Sequence, residues 1–166
     1  MRLILVLPML LLIAASPLTI TKSAQTVSDP TGGLQPKAIP GAYVDYTVAI
    51  ANPAGNLTTT VKTIQFKDAI PAQAALQVAD LGLFRSGPIV FTDNLLPASG
   101  LTYIFNGLAR TDDSLSFSSD GGATFTYVPV PDADGFDPKV TNIRVLLGGN
   151  QTAGTRVSLR FRVRIK

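Results

Sequence analysis

From Arg156 to Lys166 the chain alternates without a break. Val157, Leu159, Phe161, Val163 and Ile165 fall on one side; Arg156, Ser158, Arg160, Arg162, Arg164 and Lys166 fall on the other. Successive side chains of a strand point to opposite faces, so this segment predicts a strand with one face in a core and one in water. Tyr43 to Asn52 reads the same way, with Val44, Tyr46, Val48 and Ile50 on one face and Asp45 and Thr47 on the other. "NPAG" (52–55) is a turn, and Thr58 to Lys67 predicts the next strand, with Ile64 and Phe66 inward. Pro88–Thr92, Leu101–Phe105, Ser114–Ser118, Ala123–Val128 and Asn142–Leu147 are further candidates. Long helical periodicity is absent; only Ala72 to Gly87 could hide a short helix. About eight to ten short strands separated by Gly, Pro, Asn and Asp predict an all-β fold, an Ig-like antiparallel β-sandwich.

"SSDGGATF" (118–125) fits the Asp-box pattern S-x-D-x-G-x-T-(W/F) of sialidase-type propellers. A propeller needs several copies and a much longer chain, and this sequence has one copy. Asp-Gly between alternating apolar runs is a strong hairpin signal, Asp can accept bonds from turn amides, and Gly allows positive φ. The motif therefore predicts a structural hairpin turn.

Composition narrows the chemistry. The 166 residues allow one domain with a core. All eleven acids are Asp, and Glu, His, Cys and Trp are absent. Thiolate chemistry, disulfides and Cys-ligated metals are excluded, and the commonest general base is missing. The ligands left for a metal are Asp, carbonyl and water, a set that suits calcium. At the amino terminus Arg2 precedes thirteen nonpolar residues, Leu3 to Ala15, which Ser16-Pro17 ends. This is the layout of a signal peptide. Cleavage is expected after Ala24, leaving residues 25–166 as a single exported domain; the competing reading is an uncleaved anchor over Leu3 to Ile20.

"PKAIPGAYVDYTVAIANPAGN" (36–56), Asp68-Ala69-Ile70-Pro71, the segment from "SSDGGATF" to "TNIRV" and the closing "SLRFRVRI" carry a resemblance. Over most of residues 26–166 the chain resembles the bacterial conserved-repeat family of secreted Ig-like domains, in its single-domain branch. The resemblance implies a β-sandwich outside the cell or at its surface, and it implies no catalytic residues.

Two charged constellations remain. Asp132, Asp134 and Asp137 surround Gly135 in "DADGFDP" and could converge on calcium, although the spacing is not that of an EF-hand; the plainer reading is a turn whose carboxylates cap amides. Arg160, Arg162, Arg164 and Lys166 form a cationic stripe with same-face residues roughly 7 Å apart. It could meet an anionic partner, such as an acidic surface glycan or another copy, or it could guard a sheet edge or pair with Asp on adjacent strands. Nucleic acid is not expected, since aromatic residues do not interleave the bases. The sequence thus predicts a non-catalytic structural or binding module of the bacterial envelope, cell surface, periplasm or extracellular space. A self-assembling fibre subunit and an Asp-dependent carbohydrate-active enzyme are the alternatives.

Overall fold

A computed structural model describes residues 15–57, 61–83, 86–94 and 96–166. Over these residues two antiparallel sheets pack face to face as a β-sandwich. One sheet holds β1 (Thr19–Ser28), β2 (Tyr43–Ala51), β10 (Arg156–Ile165), β4 (Ala74–Gln77), β5 (Ile89–Asp93) and β8 (Phe136–Asp137). The other holds β3 (Val61–Ala69), β9 (Asn142–Gln151), β6 (Leu101–Thr102) and β7 (Leu115–Ser118). Residues 58–60 of the expected Thr58–Lys67 strand lie outside the described residues, and β3 is seen from Val61.

The alternation in β10 explains its place. One of its edges pairs with β2 over its whole length, from Arg156↔Ala51 to Arg164↔Tyr43. The other pairs first with β5 and then with β4. β10 is therefore a central strand, so its bases do not guard a sheet edge. Its apolar side enters the core, where Val157, Leu159, Phe161 and Val163 are buried beside Val48 and Ile50. Ile143, Val145 and Leu147 of β9 and Leu115 and Phe117 of β7 meet them from the facing sheet. Phe161 stacks on its cross-strand partner Tyr46, with ring centroids 5.3 Å apart.

The structure differs from the sequence reading in three places. Residues 72–83 form no helix; Ala74, Ala75 and Leu76 are buried in β4, which is held between β10 and β8. Burial in a sheet overrides the modest helix preference of Ala and Leu. The segment 123–128 is not a strand: it meets β7 only at a Phe117–Tyr127 bridge. β7 pairs with β9 instead, and the segment runs into Pro129 and Pro131, which have no N–H to offer a ladder. Third, Thr19–Ala24, assigned to the leader by its position in the sequence, lie in β1 and pair with β2 from Thr19↔Ala51 to Ala24↔Tyr46.

Candidate functional site

The Asp-box turn is built from its own side chains. Ser118, buried at the end of β7, donates its hydroxyl to Asp120 Oδ1 at 2.6 Å and accepts from the Gly122 N–H at 2.9 Å. Thr124 donates its N–H to Asp120 at 3.0 Å and its hydroxyl at 2.6 Å. Gly121 and Gly122 take φ of 73° and 87°, a region that costs a residue with a Cβ. The Ser118 hydroxyl and then the Thr124 hydroxyl and amide hold the Asp120 carboxyl far below the usual carboxylate range. Every acceptor site used here serves the turn, and none is aimed at a substrate.

Replacing Asp120 by Ala is expected to lower the melting temperature at neutral pH, read by circular dichroism. The sign with pH follows from the depressed value. The stabilisation is full above the unfolded value of 3.8 and is lost as pH falls through the lower folded value. The gap between Asp120→Ala and the parent should therefore close in strong acid. A gap that widens on acidification would contradict the clamp.

The Asp132–Asp137 loop is also closed by protein donors. Asp132 Oδ1 accepts from the N–H groups of Asp134 and Phe136 at 3.0 and 2.8 Å. Arg164 of β10 donates to Asp132 Oδ2 at 2.7 Å and to Asp134 Oδ2 at 2.6 Å, and its guanidinium lies 4.7 Å from the Phe136 ring centre. The Phe136 amide leads the groups that hold the Asp132 carboxyl below its ordinary value, against the opposing effect of desolvation. Asp137 turns away from the other two. It is buried, and it accepts from Tyr127 Oη and the Val130 N–H through Oδ2 and from the Lys139 N–H through Oδ1, each at 2.8 Å. Among the described residues no group of three carboxylates is gathered for a metal. Calcium at these three residues would have to displace Arg164 and Tyr127.

The cationic stripe is matched in the same way. Arg160 and Arg162 converge on the buried Asp45 of β2, with contacts of 2.6 Å each. Burial pushes the Asp45 carboxyl up, but hydrogen bonds from Arg162 and Arg160 outweigh it and the carboxyl lies below its ordinary value. Lys166 donates to the Ala72 carbonyl at 3.1 Å.

All eleven Asp residues are committed in this manner. Asp29, Asp80, Asp93, Asp113, Asp120, Asp132 and Asp137 accept from backbone amides. Asp45, Asp68, Asp112 and Asp134 accept from Arg or Lys.

Sequence patterning missed a different cationic surface. Lys67 of β3 and Arg144 of β9 are direct cross-strand partners, and both lie over the Phe125 ring, at 5.0 and 4.8 Å from its centre. Among the described residues neither has a carboxylate within ion-pair distance. Arg144 also lines a groove of about 260 Å³ with Phe125, Tyr127, Ser116 and Leu108. Like charges placed opposite one another repel, so the pair persists on the aromatic ring, on solvent and on the bond that Arg144 donates to Ser116 Oγ at 3.2 Å. The only signal in the sequence was the aromatic that ends the Asp box. The cross-strand register that unites Lys67 with Arg144 joins two strands far apart in the sequence.

Asn56 of the sequon Asn56-Leu57-Thr58 is buried and bonded to the chain, so its amide is not presented to solvent. No family model, no curated protein and no solved structure matches this chain.

Proposed function

We propose that this domain is an exported, non-catalytic module of the bacterial envelope or extracellular surface, which holds an acidic surface glycan. The observation that carries the reading is the commitment of every Asp to a turn or an ion pair. A glycan-cleaving site needs two carboxyl groups facing a scissile bond, one of them able to give and take a proton. Here each carboxyl already accepts from at least one donor of the chain, Asp112 doing so at the surface, and Glu and His are absent. The acidic partner meets Lys67 and Arg144 on Phe125 rather than Arg160, Arg162 and Arg164, whose charges are answered within the fold. An aromatic face flanked by cations suits a sugar ring bearing carboxylates.

A self-assembling fibre subunit would use the outer edge of β1, which pairs with no strand among the described residues. That edge carries protective features: Lys22 points inward, and the ladder shifts register between Thr26 and Ser28. They weigh against strand addition between copies.

Polygalacturonate binding over a salt series tests the reading. The Lys67→Gln, Arg144→Gln double variant should keep its melting temperature while affinity falls about tenfold or more and loses much of its salt dependence, the signature of screened charge pairs. The Arg160→Gln, Arg162→Gln, Arg164→Gln triple variant should lose about 2 kcal/mol of stability, since it leaves Asp45 buried without a partner while the exposed ends of the pairs contribute little. Its affinity should hold at a temperature where it is folded. Unchanged binding in the double variant would overturn the glycan site, and salt-dependent filaments of pure protein in electron micrographs would favour the fibre.

A further inference from the structure

We propose that the leader is cut between Ala15 and Ser16, so that the exported domain begins at Ser16; this rests on the export reading above. The inference comes from how tightly residues 16–24 belong to the fold. The Ser16 N–H donates to Asn56 Oδ1 at 2.8 Å, and Asn56 Nδ2 donates back to the Ser16 carbonyl at 2.8 Å. Asn56 is itself fixed, since it is buried and its Nδ2 also bonds to Asn52 Oδ1 at 2.8 Å, while Asn52 bonds to the Gln151 carbonyl at 2.9 Å. Leu18 packs on the core cluster. Residues Thr19 to Ala24 then cover the edge of β2.

Lys22 adds the decisive contact. It lies opposite Val48 on the inward side of β1, crosses the open flank of the sandwich, and reaches Asp68 of β3 in the facing sheet at 2.7 Å. Its ammonium passes 4.7 Å from the centre of the Tyr46 ring. A cut after Ala24 would remove the cation from Asp68, whose side chain is only 14 % exposed, and would bare the β2 edge from Tyr46 to Ala51. An uncovered edge is a template for aggregation, and an unanswered buried carboxylate costs stability.

The same placement excludes a retained anchor. Such an anchor needed Leu3 to Ile20, but Ile20 is in β1 and Ser16 is held by Asn56. The thirteen nonpolar residues Leu3 to Ala15 remain. As a helix they would reach about 20 Å, against a hydrocarbon core of about 30 Å. That length is right for the apolar part of a signal peptide, and small Ala15 stands directly before the cut, with Ile13 at minus three. In the cut, water adds across the Ala15–Ser16 amide. The water oxygen goes to Ala15, which leaves as a carboxylate, and both of the water's protons end on the Ser16 nitrogen, which keeps its bond to Asn56 as an ammonium. The next bond, Ser16–Pro17, has an imide nitrogen on the leaving side and is the poorer substrate.

The test is the intact mass and amino-terminal sequence of the protein exported from cells making the full chain. The expected terminus is Ser16. An exported protein beginning at any other residue, Gln25 included, overturns the site and leaves the envelope reading standing. Protein found only in the cytosol overturns the envelope reading instead. An Ala15→Arg variant should keep its leader, read by intact mass; continued release of a chain beginning at Ser16 from that variant would also overturn the site.

Discussion

Replacing Phe161 by Ala is expected to cost about 3–5 kcal/mol, the range for emptying a buried aromatic site. Phe161 is fully buried in the central strand β10, between Tyr46 of β2 and Ile89 of β5. Its ring stacks on Tyr46, which in turn lies beneath the Lys22 ammonium. The cavity therefore opens at the point where β1, β2 and β10 lean on one another. Paired strands on both edges of β10 hold its backbone in place, so the site cannot collapse to fill the void. A loss of this size is a large fraction of a typical domain's stability of about 5–15 kcal/mol. It should lower the melting temperature by roughly 10 °C, at about 2–4 °C per kcal/mol for a chain this long. Phe161→Leu, which keeps most of the volume, should cost about 1–2 kcal/mol. Leu146→Ala, on the half-exposed outer side of β9, should cost under about 0.5 kcal/mol. Urea titrations of the three variants give the comparison. A Phe161→Ala protein within about 1 kcal/mol of the parent would mean that the core does not sit where β10 places it.

The contrast between these residues also shows where the sequence could be read. Strands β2 and β10 have one face in the core and one in water, so their alternation is visible, and the sandwich follows from counting such segments. β4 is covered on both faces, and "AALQ" carries no alternation to read. β1 presents Ile20, Lys22, Ala24 and Thr26 on one side, a mixed set that hides the period of two, and it follows an apolar run that draws the eye. The charged groups are harder still. That Arg160 and Arg162 share Asp45 depends on a cross-strand register between side chains 115 and 117 positions apart, and that Arg164 reaches Asp132 and Asp134 depends on the path of a loop 30 and 32 positions away. Local patterning fixes which face a residue takes, and only the assembled sheet fixes its partner.

Replacing Asp137 by Ala is expected to cost about 2–3 kcal/mol. The buried carboxylate of Asp137 binds three donors at once: the Tyr127 hydroxyl, the Val130 N–H and the Lys139 N–H. Each orphaned donor costs about 1–3 kcal/mol when fully buried, and less here because Val130 and Lys139 lie at the surface and water can reach their amides. Tyr127→Phe removes one partner and leaves the amides bonded, so it should cost about 1 kcal/mol. In the double variant the two losses should fall short of their sum, because the Tyr127 bond is counted in both. A second readout follows from the phenol. Burial first, then the hydrogen bond and charge of Asp137, push the Tyr127 hydroxyl up to about 12. Its contribution to stability is full below the unfolded value of 10.0 and is lost as pH rises through about 12. Without the carboxylate the tyrosinate absorbance of Tyr127 should appear at lower pH, with burial alone still holding it above an exposed tyrosine. The same carboxylate was a candidate calcium ligand, and its three protein donors set the expected response to the ion. Millimolar calcium should leave the melting temperature of the parent unchanged, because binding would have to break the Tyr127 bond and the Arg164 pairs. A calcium-dependent rise that disappears in Asp137→Ala would show that the loop reorganises around the metal and that the Tyr127 bond is the weaker claim on this carboxylate.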